Sequence, residues 1–281
     1  MLHFRFETAH FISTCIAHLK KHPMAPFDQT VIYHLDPNQI IGTSLLARLT
    51  DWLDPTERAR MQRFVHAKHR HAFLISHALV RKSLGDCLQI HPKMVKFAFA
   101  ERGKPSLAHA ELDQGLAFNL THTEGFAAIA ISVSAVGIDA ECLTRNLDGL
   151  DIANRYFTPR ERKDIFAVRP AEQQQRFLTY WTLKEAYLKA EGWGIVDSLD
   201  GFEFQLEREP STEHVSRVSL NIVDPLVAPS CLWYFQHMQP TQAHLLSIAV
   251  ATKNPSVQPV ITCRAWQPED WSEGVGVNPN T

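Results

Sequence analysis

Two acids stand two positions apart, Asp139 and Glu141, in the segment AVGIDAE (Ala135–Glu141). The segment reads as a strand. A period of two puts both carboxylates on one face, where like charges repel and add nothing to folding. A bound divalent cation would remove the repulsion. Hard oxygen ligands of this kind suit Mg²⁺, which takes one or two carboxylates with waters and substrate phosphates. The plain alternative is a strand end whose acids face water. A second set lies in WTLKEAYLKAEGWG (Trp181–Gly194). Trp181, Glu185 and Lys189 recur every four residues and so share one stripe of a helix, with Lys184 beside it. An ordinary surface ion pair between Glu185 and Lys189, worth roughly 0.2–0.5 kcal/mol, explains those two residues. It does not explain a Trp on the same stripe, or Gly192 and Gly194 just after it. A Trp beside a carboxylate and two lysines suits the wall of a ligand cleft.

The elements that must position these groups are legible in outline. VIYHL (Val31–Leu35) reads as a strand. Asp54, Pro55 and Glu57 form an N-cap, a first-turn Pro and an acid at N3. They start a helical region expected to run to about Leu84, broken near His66, with Gly85 as its stop. VKFAFA (Val95–Ala100), LAFNL (Leu116–Leu120) and FAAIAIS (Phe126–Ser132) read as strands. A helical region from about Ile152 to Ala190 turns near Thr158 and Pro159 and ends at Gly192 and Gly194. FEFQL, VSLNIV, CLWYFQH and LLSIAVA read as four more strands. The expected organisation is α+β, with an irregular extension over 1–29, units over 30–133 and 134–253, and a fraying tail over 254–281.

Composition narrows the function classes. With 281 residues, 45% apolar and 21% charged, the chain is a folded protein and not a disordered one. A net charge of −2 gives no global basic field for nucleic acid. Anion chemistry must then come from local clusters. Five scattered cysteines without a CxxC pair suit a reducing cytoplasm better than a disulfide framework. No apolar run reaches the roughly 18 residues of a membrane span. The N-terminal stretch lacks the pattern of a signal peptide. No G-x-x-x-x-G-K-[ST] loop and no G-x-G-x-x-G helix start is present, so P-loop kinase and dehydrogenase readings have no support.

GIDAE (Gly137–Glu141) and WTLKEAYLKAEGWG together resemble the two signature motifs of the 4′-phosphopantetheinyl transferase superfamily, G-[IV]-D-x-E and W-x-x-K-E-[AS]-x-x-K-x-x-G-x-G. They occur in the family's order, with 46 positions between Asp139 and Glu185. Upstream, RGKP (Arg102–Pro105), FNLTHT (Phe118–Thr123) and the basic helix RFVHAKHRHAFLISHALVR (Arg63–Arg81) are similar to further family segments. The resemblance covers about residues 31–253 and fits the larger type, with two similar α/β subdomains related by pseudo-twofold symmetry in one monomer.

That resemblance implies an activity and a set of roles. The activity would be transfer of 4′-phosphopantetheine from coenzyme A to a serine of an apo acyl or peptidyl carrier protein, releasing 3′,5′-ADP. Mg²⁺ would be held by Asp139, Glu141 and Glu185. Lys184 and Lys189 would neutralise the phosphates. Thr121, His122 and Lys104 would contact coenzyme A, and Arg70 or His71 its 3′-phosphate. Many members have Arg where this chain has Ala72, and Arg70 or His71 would compensate. Glu161 would help organise the site. Glu185, Glu161 or a metal-bound water could accept the serine proton.

Each residue also has a plainer reading. His122 would be a strand-end imidazole bonded to a carbonyl, and Lys104 a solvated turn residue. Arg70, His77 and Arg81 would be an exposed basic face of a helix, and Glu161 a first-turn acid favourable to the helix dipole. His66, His69 and His71 do not share one helical face and make a poor metal set. Two other functions use the same side chains. One is a Mg²⁺-dependent hydrolase of nucleotide diphosphates. The other is a binding protein without catalysis.

Overall fold

A computed structural model describes residues 29–108, 115–145, 149–193, 199–209, 215–253 and 258–271. Strand β1 (Gln29–Leu35) leads into helices α1 (Thr43–Trp52), α2 (Pro55–Gln62) and α3 (Ala67–Leu88). The expected capping box is present: Asp54 accepts from the Glu57 N–H, and Glu57 accepts from the Asp54 N–H. The break near His66 is also present, with His66 at the N-cap of α3. The stop is not Gly85. The helix continues to Leu88 and ends on Gln89 in the left-handed conformation. A small hairpin of β2 (Phe97–Phe99) and β3 (Pro105–Leu107) precedes β4 (Ala117–Thr123) and β5 (Phe126–Ser132).

The next part of the chain opens with β6 (Val136–Cys142). Helices α4 (Gly149–Tyr156), α5 (Pro159–Phe166) and α6 (Pro170–Glu191) come after it, then β7 (Phe202–Arg208), β8 (Val215–Ile222), β9 (Leu232–Thr241) and β10 (His244–Thr252). The fold is therefore α+β, as runs of helices set between runs of mostly antiparallel strands imply. The tail does not simply fray. Val260–Ala265 form β11, which pairs parallel with β1 from Gln29 to His34. Beyond it Trp271 is buried against Trp52. The backbone donors and acceptors of β1 on that side need partners, and β11 supplies them. No helix among the described residues is long and apolar enough to cross a membrane.

One sheet has the order β11-β1-β5-β4 and another β6-β10-β9. Leu74, Ile75, Ala78 and Leu79 of α3 join the core over the first sheet, and Leu183, Ala186 and Tyr187 of α6 the core over the second. A third core lies where the two meet, built from Ile32, Phe126, Ala128 and Ala130 with Ile138, Ala140, Leu246 and Ile248.

The two parts share one device. A capping-box helix, α2 or α5, buries its N3 glutamate against a cation from the following 22-residue helix. In the first part Glu57 pairs with the fully buried Arg81 at 2.7 Å. In the second, Glu161 pairs with Lys184 at 2.9 Å, and neither is exposed.

Candidate active site at the seam between two sheets

Among the described residues, β6 is an edge strand whose backbone ladder pairs it with β10. On its other side lies β4, held by side chains instead of a backbone ladder. The Ile138 N–H donates to Asn119 Oδ1 at 2.9 Å, and the Ala140 N–H donates to Thr121 Oγ1 at 3.1 Å. Thr121 in turn donates to Asp139 Oδ1 at 3.1 Å, and Thr123 to Glu141 Oε2 at 3.2 Å. Asn119, Thr121 and Thr123 are spaced by two, so all three side chains fall on one side of β4. Buried backbone donors must find partners, and FNLTHT provides them across the seam.

The opposite constraint comes from α6. A Cβ on Gly137 would lie 2.0 Å from the Ala186 carbonyl oxygen and 2.4 Å from the Ala190 nitrogen. Only glycine lets the helix lie this close to β6. Gly137, Asp139 and Glu141 alternate onto the face that meets α6, so the same contact that excludes a side chain at 137 buries both acids under the helix. Asp139 and Glu141 are 7% and 6% exposed, and Glu185 of α6 is 5% exposed.

Three buried acids thus share one site. Lys189 Nζ donates to Asp139 Oδ1 at 2.6 Å and to the Ile138 carbonyl at 3.2 Å. Arg145 Nη1 donates to both Glu141 oxygens, at 2.6 and 2.7 Å. Two buried carboxylate oxygens of this cluster, Asp139 Oδ2 and Glu185 Oε1, have no hydrogen-bond partner among the described residues. An orphaned buried carboxylate oxygen is costly, and two of them in one acidic cluster fit a cation site. Hard oxygen donors of this kind suit a divalent ion. Among the described residues, no three His, Cys, Asp or Glu side chains are already drawn together as a cation cage, with Glu141 turned onto Arg145 and Asp139 onto Lys189.

Burial pushes the Glu185 carboxyl up to about 7, and Asp139 and Glu141 add to the rise while Lys189 opposes it. The folded protein therefore holds a proton on Glu185 between its ordinary carboxylate value and about 7, where the unfolded chain does not. Stability from this group is full at low pH and lost as pH rises through about 7. Metal-free protein titrated with urea at pH 5.5 and 8 should show this loss, and Glu185→Gln should flatten it. A loss of the same size in the variant would assign the effect elsewhere.

The rim carries further candidates. His122 is exposed beside the cluster; desolvation by its neighbours, and then the charges of Lys189, His77 and Arg60, lower its imidazole below the ordinary value. Lys104 reaches across from the β2–β3 hairpin and donates to the Ala190 carbonyl at 2.5 Å near the end of α6. Its ammonium is lowered by burial. Lys104, Asn119, Lys189 and Trp193 line a groove running from the seam to the surface. Gly192, left-handed at φ +76°, ends α6 at this groove. Gly194 lies outside the described residues.

The structure thus gathers Asp139, Glu141, Glu185, Lys189 and Thr121, with His122 and Lys104 at the rim. It does not gather the rest. Lys184 was expected to face phosphates. Instead it is fully buried, held by Glu161 and by the Leu199 and Phe202 carbonyls at 2.7 and 2.8 Å, with the rings of Phe157 and Phe202 against it. Glu161 accepts from the Phe204 N–H and from Thr158. It is a structural acid with no access to a substrate. Arg70 donates to the Phe64 and Val65 carbonyls, and His71 bonds the Pro37 carbonyl. The basic face drawn through Arg70, His77 and Arg81 does not exist, because Arg81 is core and His77 bonds Glu57 at 2.8 Å. Asn119, Thr123 and Arg145 were not singled out from sequence. The alternation of polar residues in FNLTHT marked the first two, whereas Arg145 carried no signal.

Comparison with known proteins agrees with this geometry. Residues 43–134 match the family model described as 4′-phosphopantetheinyl transferase, N-terminal, and residues 135–247 match the 4′-phosphopantetheinyl transferase superfamily model. The chain is 39% identical over 153 residues to the 4′-phosphopantetheinyl transferase HetI of Nostoc sp., covering 54% of this chain and 65% of HetI, just under two thirds of its length. It is 30% identical over 167 residues to the 4′-phosphopantetheinyl transferase Sfp of Bacillus subtilis, 58% of this chain and 70% of Sfp. A phosphopantetheinyl transferase of Thraustochytrium sp. is 30% identical over 217 residues, 73% of this chain and 72% of that protein. Two adjoining family models and relatives aligned over most of their own length lead to one conclusion: the chain belongs to the 4′-phosphopantetheinyl transferase superfamily.

Proposed function

We propose that this chain transfers 4′-phosphopantetheine from coenzyme A to a serine of an apo carrier protein, acyl or peptidyl, releasing 3′,5′-ADP. The observation that carries the reading is the set of three buried acids with two orphaned oxygens, beside Lys189 and at the head of a cationic groove. Asp139, Glu141 and Glu185 would hold Mg²⁺, which when bound supplies charge neutralisation for the diphosphate oxygens. Lys189 shares Asp139 with that site and lines the groove, which supports a role for its ammonium in receiving a phosphate. Thr121 fixes Asp139, and His122 and Lys104 offer donors at the rim. Catalysis on this reading is positioning and electrostatics.

For the serine proton, Glu161 drops out because it is fully buried. That leaves Glu185 and a metal-bound water as candidates for the acceptor.

The two parts of the chain fit related subdomains joined at the seam. Each carries the same buried acid–cation device, and the two matched family models meet between residues 134 and 135. We read the enzyme as a cytoplasmic monomer. The four described cysteines are all free, as suits a reducing compartment.

The test is mass spectrometry of apo acyl and peptidyl carrier proteins incubated with this protein, coenzyme A and Mg²⁺. The expected result is a gain of one phosphopantetheine arm on a serine, dependent on the metal. Release of 3′,5′-ADP without any carrier, and no gain on either carrier type, would replace this reading with hydrolysis of a nucleotide diphosphate.

A further inference from the structure

Of the three clustered acids, two are each held by a cation of the chain itself, and the two cations differ. Lys189 lies along α6 and also donates to a backbone carbonyl. Arg145 comes from the turn just after β6, and its side chain is 49% exposed while Glu141 is buried. Its contact is unusual for arginine. The common arrangement sets two guanidinium nitrogens against two carboxylate oxygens. Here one nitrogen, Nη1, straddles both oxygens of Glu141 at 2.6 and 2.7 Å. A divalent ion held by Glu141 would compete with this positive centre for the same carboxylate.

The surroundings allow an exchange. Glu141 is fixed without Arg145, because it sits on a buried strand and Thr123 holds its Oε2. The Arg145 backbone is anchored separately, its N–H on the Cys142 carbonyl and its own carbonyl on Gln174. The guanidinium can therefore swing into solvent with neither the strand nor the turn moving.

We propose that Arg145 is a built-in counter-cation that holds Glu141 until a divalent metal ion displaces it. This rests on the reading of Asp139, Glu141 and Glu185 as the metal ligands. Without Arg145, the metal-free site would place an uncompensated carboxylate beside two others. With it, the acids stay ordered and the metal competes against one half-exposed ion pair, a modest opponent. Metal affinity is thereby set by a residue that never touches the metal.

The experiment titrates Mn²⁺ by electron paramagnetic resonance against wild type, Arg145→Ala, Arg145→Lys and Asp139→Asn, and pairs each titration with thermal melts. Arg145→Ala should bind Mn²⁺ about three- to tenfold more tightly, the worth of a partly exposed, charge-assisted contact. Arg145→Lys should stay near wild type. Without metal, Arg145→Ala should melt below wild type, and the gap should close at saturating Mn²⁺, because the bound wild type has already released the arginine. Unchanged or weaker Mn²⁺ binding, or a melting gap that persists at saturation, would make Arg145 an ordinary structural partner of Glu141. That outcome leaves the metal reading intact so long as wild type binds Mn²⁺ and Asp139→Asn does not. If wild type fails to bind Mn²⁺, or Asp139→Asn binds it equally well, the metal reading falls and the inference falls with it.

Discussion

Asp139→Asn should lower the rate of carrier loading by about a thousandfold or more while leaving the fold intact. The rate effect comes from the role of the charge. A preorganised cation at a developing phosphate charge contributes several kcal/mol, and Asp139 stands at the centre of the acids that would hold it. Asparagine keeps Oδ1 as an acceptor for Thr121 and Lys189, so the existing hydrogen bonds survive. Stability should change little, because the charge lost to Lys189 at 2.6 Å is set against a repulsion that is relieved. Asp139 Oδ2 is buried without a partner, and Asp139 is one of the charges that push Glu185 up. Removing that charge relieves a repulsion the fold endures for function. Rates from intact-protein mass spectrometry, read beside thermal melts, check both halves. A loss under about tenfold, or a severe drop in melting temperature, would place Asp139 among structural residues.

Lys184→Met should do the reverse and destabilise the protein by about 3–5 kcal/mol, with little change in KM for coenzyme A among the molecules that remain folded. Lys184 and Glu161 are both fully buried. Burial pushes the lysine ammonium down and the glutamate carboxyl up, and each partner recovers part of that cost for the other. Removing the lysine alone leaves a buried carboxylate facing the Leu199 and Phe202 carbonyls, which lose their donor. Breaking one side of such a pair is expensive, whereas replacing both by apolar groups of similar volume is often close to neutral. Lys184→Met combined with Glu161→Leu should therefore recover part of the loss in a urea titration. A raised KM at full stability would return Lys184 to the phosphates.

The contrast between these residues shows what local spacing can and cannot decide. Asp139 and Glu141 were legible because a strand has period two and both residues lie on one strand. Glu185 and Lys189 were legible because a helix brings positions four apart together. Lys184 sits next to Glu185 in the same motif, yet the 100° step between neighbouring helix positions turns it to the other side of α6, into the second core. From sequence the two are equally plausible in a cleft, and only the packing of α6 against β6 on one side and β7 on the other separates them. Arg81 met the same fate on α3. Its spacing from Arg70 marked a face without saying whether that face meets water or Glu57.

Local sequence was enough for most element types, the helix start at Asp54, the turn near Thr158, the α+β class and the shared faces of the acids, because each depends on residues within a few positions of one another or on a short motif. It was not enough for the strand after Lys253. β11 owes its existence to β1, more than two hundred positions away, and carries no strong pattern of its own. Nor was it enough for the seam. That Asn119 and Thr121 take the place of a backbone ladder for β6, and that Arg145 closes over Glu141, depends on which elements lie side by side. Such contacts join residues distant in sequence or set in an irregular turn, where neither the helical nor the strand period applies. Folding alone brings them within reach.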